Sequence, residues 1–287
     1  MPRTALILGA SGRFGRNAAN ALERSGWTIR RFNRNRDDLN DAAMGADIIV
    51  NAWNPLYAEW AKVVPGLTQQ VIKAARASGA RVFIPGNIYV YGANMPPILT
   101  RETPHLAQNP LGRLRRDLED AYRQSGVKTV VLRGGDFLDT KASGSWFDRI
   151  IAKKVASGVV TYPGDMQVCH AWAYLPDMTD TLVRLANHPE DLPEFLDLPF
   201  DGYNLTGTEL VTAMSQVLGR PLRGKSMAWL PIKLARPFWQ EAKYLLEMRY
   251  LWNTPHSVDG AELAKWVPER QRTPLHDALR RALADLT

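Results

Sequence analysis

Apolar positions along the chain follow two periods in turn. TALILG at residues 4–9 is an unbroken apolar run, which predicts a short strand buried on both faces. RFGRNAANALERSG follows at once, with apolar residues every three to four positions and Gly26 at its end, which predicts an amphipathic helix. The pair then repeats. WTIRRFN and ADIIVNA read as strands two and three, and a helix runs from about Leu56 to Ser78, disturbed at Pro65. RVFIPG reads as strand four, a helix covers about Leu111 to Ser125, and VKTVVLRGG reads as strand five. The intervening stretch GANMPPILTRETPHLAQNP is too rich in proline and asparagine to be regular. Strands alternating with helices at this spacing predict an α/β fold with a doubly wound parallel sheet.

After Gly135 the pattern loosens. SWFDRIIAKKVASG reads as a helix, HAWAYL as a strand and PDMTDTLVRLANH as a helix, and from about Pro199 the chain becomes mostly helical up to TPLHDALRRALADL. The expected division is a nucleotide-binding unit over 1–198, with a substrate-region insertion near 137–160, and a smaller substrate-binding or lid region over 199–287. With 287 residues, 45% of them apolar, the chain can fill a sizeable core. It has no apolar run long enough to span a bilayer, so no membrane is expected as a partner. MPRTALILGA has too short an apolar centre for a signal peptide and is expected as the first strand. The lone Cys169 precludes an internal disulfide, fits a cytoplasmic location and is expected to be a buried, inert thiol. No Cys/His spacing suits a metal, and nothing excludes a homodimer.

Charge changes the picture at one place. Residues 1–36 hold eight arginines and a single acid, Glu23, so they carry the whole net charge of +7. Within them Gly9, Gly12 and Gly15 are spaced GxxGxxG between the first strand and its helix. Gly9 permits the tight turn, Gly12 lets backbone approach a phosphate, and Gly15 lets the helix pack on the strand. The turn aims free N–H groups and a helix N-terminus at one point, with Ser11, Arg13 and Phe14 around it, so a pyrophosphate is expected there. Arg16 and Arg24 are expected only to solvate the helix. The arginines are not interleaved with exposed aromatics, so a small polyanionic ligand is expected and nucleic acid is not.

A series of segments then resembles the extended short-chain dehydrogenase/reductase superfamily, the NAD-dependent epimerase/dehydratase group. GASGRFG looks like its nucleotide loop, NAWNP like its turn after strand three, and IYVYG is similar to "SVYG". TRETPH resembles "TEDTP", VLRGGDF resembles "VLRPGNVYG", HAWAYLPDMTDTLVRLANHP resembles "VHVDDVARA", and GYNLTGTEL resembles "YNVGGGE". The order covers nearly the whole chain and implies a Rossmann fold, a nicotinamide cofactor and a small-molecule substrate. Asn51, Ala52 and Trp53 fall at the cofactor-binding turn. Where NAD-binding members carry an acid at the end of strand two, this chain has Asn33 and then Arg34. Loss of the carboxylate and gain of a guanidinium favour a 2′-phosphate, so NADP is expected over NAD.

The resemblance fails at the catalytic set. Members use Ser with a YxxxK pair, and the matching positions here are Asn87, Leu111 and Arg115. Leucine transfers no proton, and arginine stays charged, so Arg115 can only position a ribose or carboxylate. Asn87 can donate a hydrogen bond to a carbonyl. Substitute proton donors are Tyr91 and its neighbour Tyr89, Asp136 after strand five, and His170 entering from the opposite side. Trp53, Trp146 and Trp172 are candidates for an apolar substrate wall. Two functions compete: an NAD(P)-dependent oxidoreductase or epimerase/dehydratase-like enzyme with a non-standard proton donor, acting on a small carbonyl, hydroxyl or sugar-type substrate, and a catalytically degenerate NADP(H)-binding sensor.

Overall fold

The computed structural model describes residues 2–287. β1 (Thr4–Leu8) leads into α1 (Arg13–Arg24), β2 (Thr28–Arg31) into the short α2 (Leu39–Ala43), and β3 (Ile48–Asn51) into α3 (Trp60–Ser78). β4 (Arg81–Asn87) passes through a 3-10 turn and the two-residue β5 (Ile98–Leu99) to α4 (Pro110–Gln124). β6 (Thr129–Gly134), β7 (Asp136–Leu138), β8 (Val159–Tyr162) and β9 (Cys169–Tyr174) follow, then α5 (Leu175–Asn187) and β10 (Phe195–Pro199). The remainder comprises β11 (Tyr203–Thr206), α6 (Gly207–Leu218), β12 (Arg223–Ser226), α7 (Leu230–Ala235), α8 (Gln240–Glu247), β13 (Ser257–Val258), α9 (Ala261–Trp266) and α10 (Leu275–Leu283).

The central sheet has six strands in the order β10-β6-β4-β3-β1-β2, and every pair in it is parallel. The order reverses direction at β1, where β3 lies on one side and β2 on the other, which opens a crevice at the carboxyl ends of these strands. β1 and β3 are buried on both faces, as expected of apolar strands covered by helices on both sides. One core lies under α3 and α4, and a second lies between the sheet and α1 with α5. A proline sits in α3, yet the helix runs unbroken through Pro65.

A third core was not legible as such in the sequence. It combines Leu138, Phe147, Ile151, Trp172 and Tyr174 with Tyr203, Leu210, Trp252 and Leu279, so two separate stretches of chain build it. Its frame is a small sheet in the order β11-β9-β7, in which β7 pairs with β9 in parallel and β11 with β9 antiparallel. This sheet starts one residue after β6 ends, and Gly135 makes the step: a Cβ there would stand 2.0 Å from the Ala171 carbonyl oxygen. The helix expected over SWFDRIIAKKVASG is not a regular α-helix. Phe147–Ile151 is a π-turn and Val155–Ser157 a 3-10 turn, because Phe147, Ile151 and Val155 must all reach the third core.

Candidate cofactor and substrate cleft

A cleft of about 1020 Å³ runs along the carboxyl ends of the central strands, from the Gly9–Phe14 loop to Trp146. The loop is shaped by close approach. Gly9 has φ +75°, and a Cβ on it would lie 2.8 Å from the Ala52 carbonyl oxygen. A Cβ on Gly15 would lie 2.2 Å from the Gly9 carbonyl oxygen, so α1 can seat against the turn only without a side chain there. Gly12 donates its N–H to the Gly9 carbonyl (2.9 Å) and stands at the N-terminus of α1. No side chain caps that helix and no acid occupies its first turn, so its N–H groups and positive dipole end are left for an anion. Ser11, Arg13 and Phe14 line the cleft beside it, and Gly15 lies buried beneath. Arg16 is not a solvating residue: it bonds Asp139 at 2.6 Å, and Asn17 reaches the same carboxylate at 2.9 Å, tying α1 to the segment after β7. Arg24 makes only an exposed pair with Asp180.

The next wall is the end of β2. Asn33 donates its N–H to Asp37 (2.7 Å), and its own Oδ1 accepts from the Asn35 N–H (3.0 Å), which folds the corner into a tight turn. Arg31, Arg34 and Arg36 all line the cleft here. Arg34 and Arg36 are exposed and form no ion pair among the described residues. Phe32 and Trp53 pack edge to face at 5.6 Å and form the floor between this corner and β3. Asn51 is buried and donates to the Tyr122 hydroxyl (3.0 Å), which fixes the backbone of Ala52 and Trp53 in the cleft wall.

At the far end Asn87 lines the cleft, and its Oδ1 accepts from the Tyr89 N–H (3.1 Å). Ile88–Tyr91 is a 3-10 turn, so the alternation that would place Tyr89 and Tyr91 on one side does not continue. Tyr89 lines the cleft, while Tyr91 is 3% exposed, outside the lining, packed edge-on to His105 and beneath Arg133. Tyr91 is therefore corrected from a candidate proton donor to a core residue. Tyr89 shares a 2.7 Å hydroxyl–hydroxyl hydrogen bond with Tyr57, which sequence reasoning missed. Its signal was position: Tyr57 follows β3, at the strand end where α/β sheets bind ligands. Burial pushes the Tyr57 hydroxyl up to about 12 and that of Tyr89 well above its usual range, so both stay protonated: one O–H is donated within the pair and the other is left for a ligand.

Asp136 also lines the cleft. Its Oδ2 is held at 2.8 Å by His170 Nε2. His170 is fully buried and does not enter the cleft, contrary to the sequence expectation, because β9 places it on the face of the small sheet that builds the third core. There it stacks on Trp252 at 4.1 Å and meets the edge of His256 at 4.5 Å. Trp172 lies in the same core and lines nothing, whereas Trp146 closes the cleft with Ser143. His256 must carry its proton on Nδ1, which donates to the Thr254 carbonyl (2.8 Å), and burial pushes its pKa down to about 3.

Leu111 is buried outside the cleft, its N–H donated to Glu247 (2.7 Å), so no titrating group stands at that position. Arg115 lines the cleft but donates to the Pro85 carbonyl (2.9 Å) and lies 5.6 Å over the Trp60 ring. A separate cluster of His105, Glu119 and Asp197 has donor atoms close enough for a cation. Arg133 already occupies it, at 2.7 Å from Glu119 and 2.6 Å from Asp197.

No family model matches the chain, and no curated protein matches it. Solved structures do. MoeE5 in complex with UDP-glucose and NAD aligns over 98% of this chain and 97% of its own, at a TM-score of 0.76 and 15% identity. The UDP-glucose 4-epimerase from Brucella ovis in complex with NAD aligns over 98% and 97%, at 0.74 and 15%. RMD from Pseudomonas aeruginosa complexed with NADPH aligns over 99% of each chain, at 0.72 and 15%. The similarity spans both the six-stranded sheet and the third core, and with it the chain shares the Rossmann-type α/β fold of these three structures.

Proposed function

We propose that the protein is an NAD(P)-dependent oxidoreductase or epimerase/dehydratase-like enzyme, NADP(H)-preferring, acting on a small hydroxyl- or carbonyl-bearing substrate of the sugar-nucleotide type. The observation that carries this reading is one continuous cleft, with an anion cradle at one end and a carboxylate–imidazole pair at the other. The residues fit the cofactor. The glycine turn admits backbone to a pyrophosphate, and the corner of Asn33, Arg34 and Arg36 offers cations and no carboxylate of the lining to a 2′-phosphate. A bound nicotinamide would supply reversible two-electron chemistry. Solved structures of this fold that hold NAD, NADPH and UDP-glucose support both the cofactor and the substrate class.

The chain's own residues then divide the work. Asp136 takes or returns the substrate proton at its carboxylate, and His170 holds Oδ2 so that Oδ1 is presented. Asn87 and one hydroxyl of the Tyr57–Tyr89 pair, the one not spent on its partner, donate hydrogen bonds to substrate oxygens, and Arg115 fixes the strand end under them. The competing reading, a nucleotide-responsive sensor without catalysis, rests on Leu111 and Arg115 at the usual Tyr and Lys positions. Calorimetry with NADPH and NADH, followed by NADPH oxidation against a panel of carbonyls and sugar nucleotides, tests the proposal. Tight NADPH binding with no turnover across the panel favours the sensor, and no binding of either cofactor removes both readings.

A further inference from the structure

Beside the cleft, where Trp229 meets Trp146 and Tyr244 meets Tyr57, one stretch of the surface is unlike the rest. Of the eight large hydrophobic side chains that are exposed among the described residues, four fall within residues 230–239: Leu230 (66%), Leu234 (70%), Phe238 (94%) and Trp239 (41%). Leu230 and Leu234 are one turn apart and share the side of α7 opposite the buried Ile232. The inner side of α7 and α8 is satisfied by its own small core of Trp229, Ile232 and Ala242. The outer apolar side is therefore not the back of a loose helix but a second, unpartnered face of a seated one.

The charge around it is one-sided. Between Glu209 and Glu241 the chain contains Arg220, Arg223, Lys225, Lys233 and Arg236 and not one aspartate or glutamate. Arg220 is spent on the Val155 and Ala156 carbonyls. Arg223, Lys225, Lys233 and Arg236 are exposed and form no ion pair among the described residues. Two leucines, a phenylalanine and a tryptophan, with Lys233 in the same helix and Arg236 at its end, match the chemistry of an anionic lipid surface. The apolar groups enter the headgroup boundary, tryptophan favours that interface, and the cations meet lipid phosphates. A second copy of this chain fits less well, because a two-fold contact would set these cations against themselves. A flap over the cleft fits less well too, because the exposed face of α7 lies opposite the side that packs on the protein.

We propose that the α7 face, with Phe238 and Trp239 beyond it, docks the protein on the surface of an anionic bilayer without spanning it. The full chain is floated with vesicles of neutral phosphatidylcholine, and with vesicles containing about one third phosphatidylglycerol. Binding to the anionic vesicles is expected, at least about tenfold above that to neutral ones, and it is expected to collapse at about 1 M salt, where the screening length falls to about 3 Å. L234S/F238S and, separately, K233E/R236E are each expected to lose binding by about tenfold or more. Near-UV circular dichroism confirms that each variant is folded. The charge-reversal pair leaves the apolar face intact, so it carries the test if the first pair misfolds. No vesicle binding, equal binding to neutral vesicles, or binding that both variants retain overturns the proposal. A wild-type dimer in sedimentation that F238S abolishes, without lipid binding, assigns the face to a second copy instead.

Discussion

Arg34 and Asp136 stand at opposite ends of one cleft, and each makes a claim that a single substitution decides. Arg34 is exposed and pairs with no acid among the described residues, so its guanidinium costs little desolvation to engage a 2′-phosphate. Arg34→Ala is expected to weaken NADPH by about 1.5–3 kcal/mol, roughly 10- to 100-fold, and to leave NADH nearly unchanged. Equal weakening of both in calorimetry would contradict the NADP preference. Asp136→Asn keeps the size of the side chain but removes the proton acceptor, and is expected to cost about 10²–10⁴-fold in turnover. Tyr91→Phe is the contrasting variant. Its ring is in the core and its hydroxyl does not reach the cleft, so a steady-state assay should find its rate near that of the wild type. Much of the glycine-loop end of the cleft was legible at this scale, because Gly9, Gly12 and Gly15 sit between an apolar run and an amphipathic helix. The far end was not. Whether Tyr89 or Tyr91 faces the cleft depends on a 3-10 turn, and whether His170 faces it depends on which side of β9 it takes.

Among elements, α1 shows how packing and ligand chemistry are set together. The helix seats on β1 only because Gly15 has no side chain, and the same seating aims its uncapped N-terminus into the cleft. Gly15→Ala forces the Gly9 turn to shift, since the added carbon would lie 2.2 Å from a backbone oxygen. The expected outcome is a stability loss of about 1–3 kcal/mol in urea unfolding, together with loss of binding of both cofactors. A variant that unfolds earlier yet binds normally would separate the turn from the cofactor. The central strands were legible because strands covered on both faces are uniformly apolar, as in TALIL and IIVN. β7 was not, since three residues are too few to show a period and its partner lies 36 positions along the chain at Trp172. The π-turn at Phe147–Ile151 was hidden for a related reason: its residues are spaced for the third core and imitate a helical stripe.

For the whole molecule, acid sensitivity follows from two histidines, His256, which is fully buried, and His105, which is half-buried. Burial, with Arg133 nearby, pushes His105 down to about 4, and burial, with His170 nearby, pushes His256 down to about 3. Both imidazoles are neutral in the folded protein near neutrality, so neither affects stability there. As pH falls below about 6.5 the unfolded chain takes up these protons first, and stability drops by about 1.4 kcal/mol per pH unit for each histidine until the folded pKa is reached. Urea midpoints between pH 7 and pH 5 should therefore fall, and H256Q should flatten the slope; an unchanged slope would place the acid sensitivity elsewhere. The third core carries a different consequence. Because its halves come from Leu138–Tyr174 and Tyr203–Leu283, with β10 of the central sheet threaded between them, no single cut in the chain separates the central sheet from the third core. An engineer wishing to transplant this core onto a related sheet must exchange both stretches at once, preserving the glycine step at Gly135. Recombination at one crossover would pair half of one core with half of another and leave Trp172 and Trp252 facing strangers.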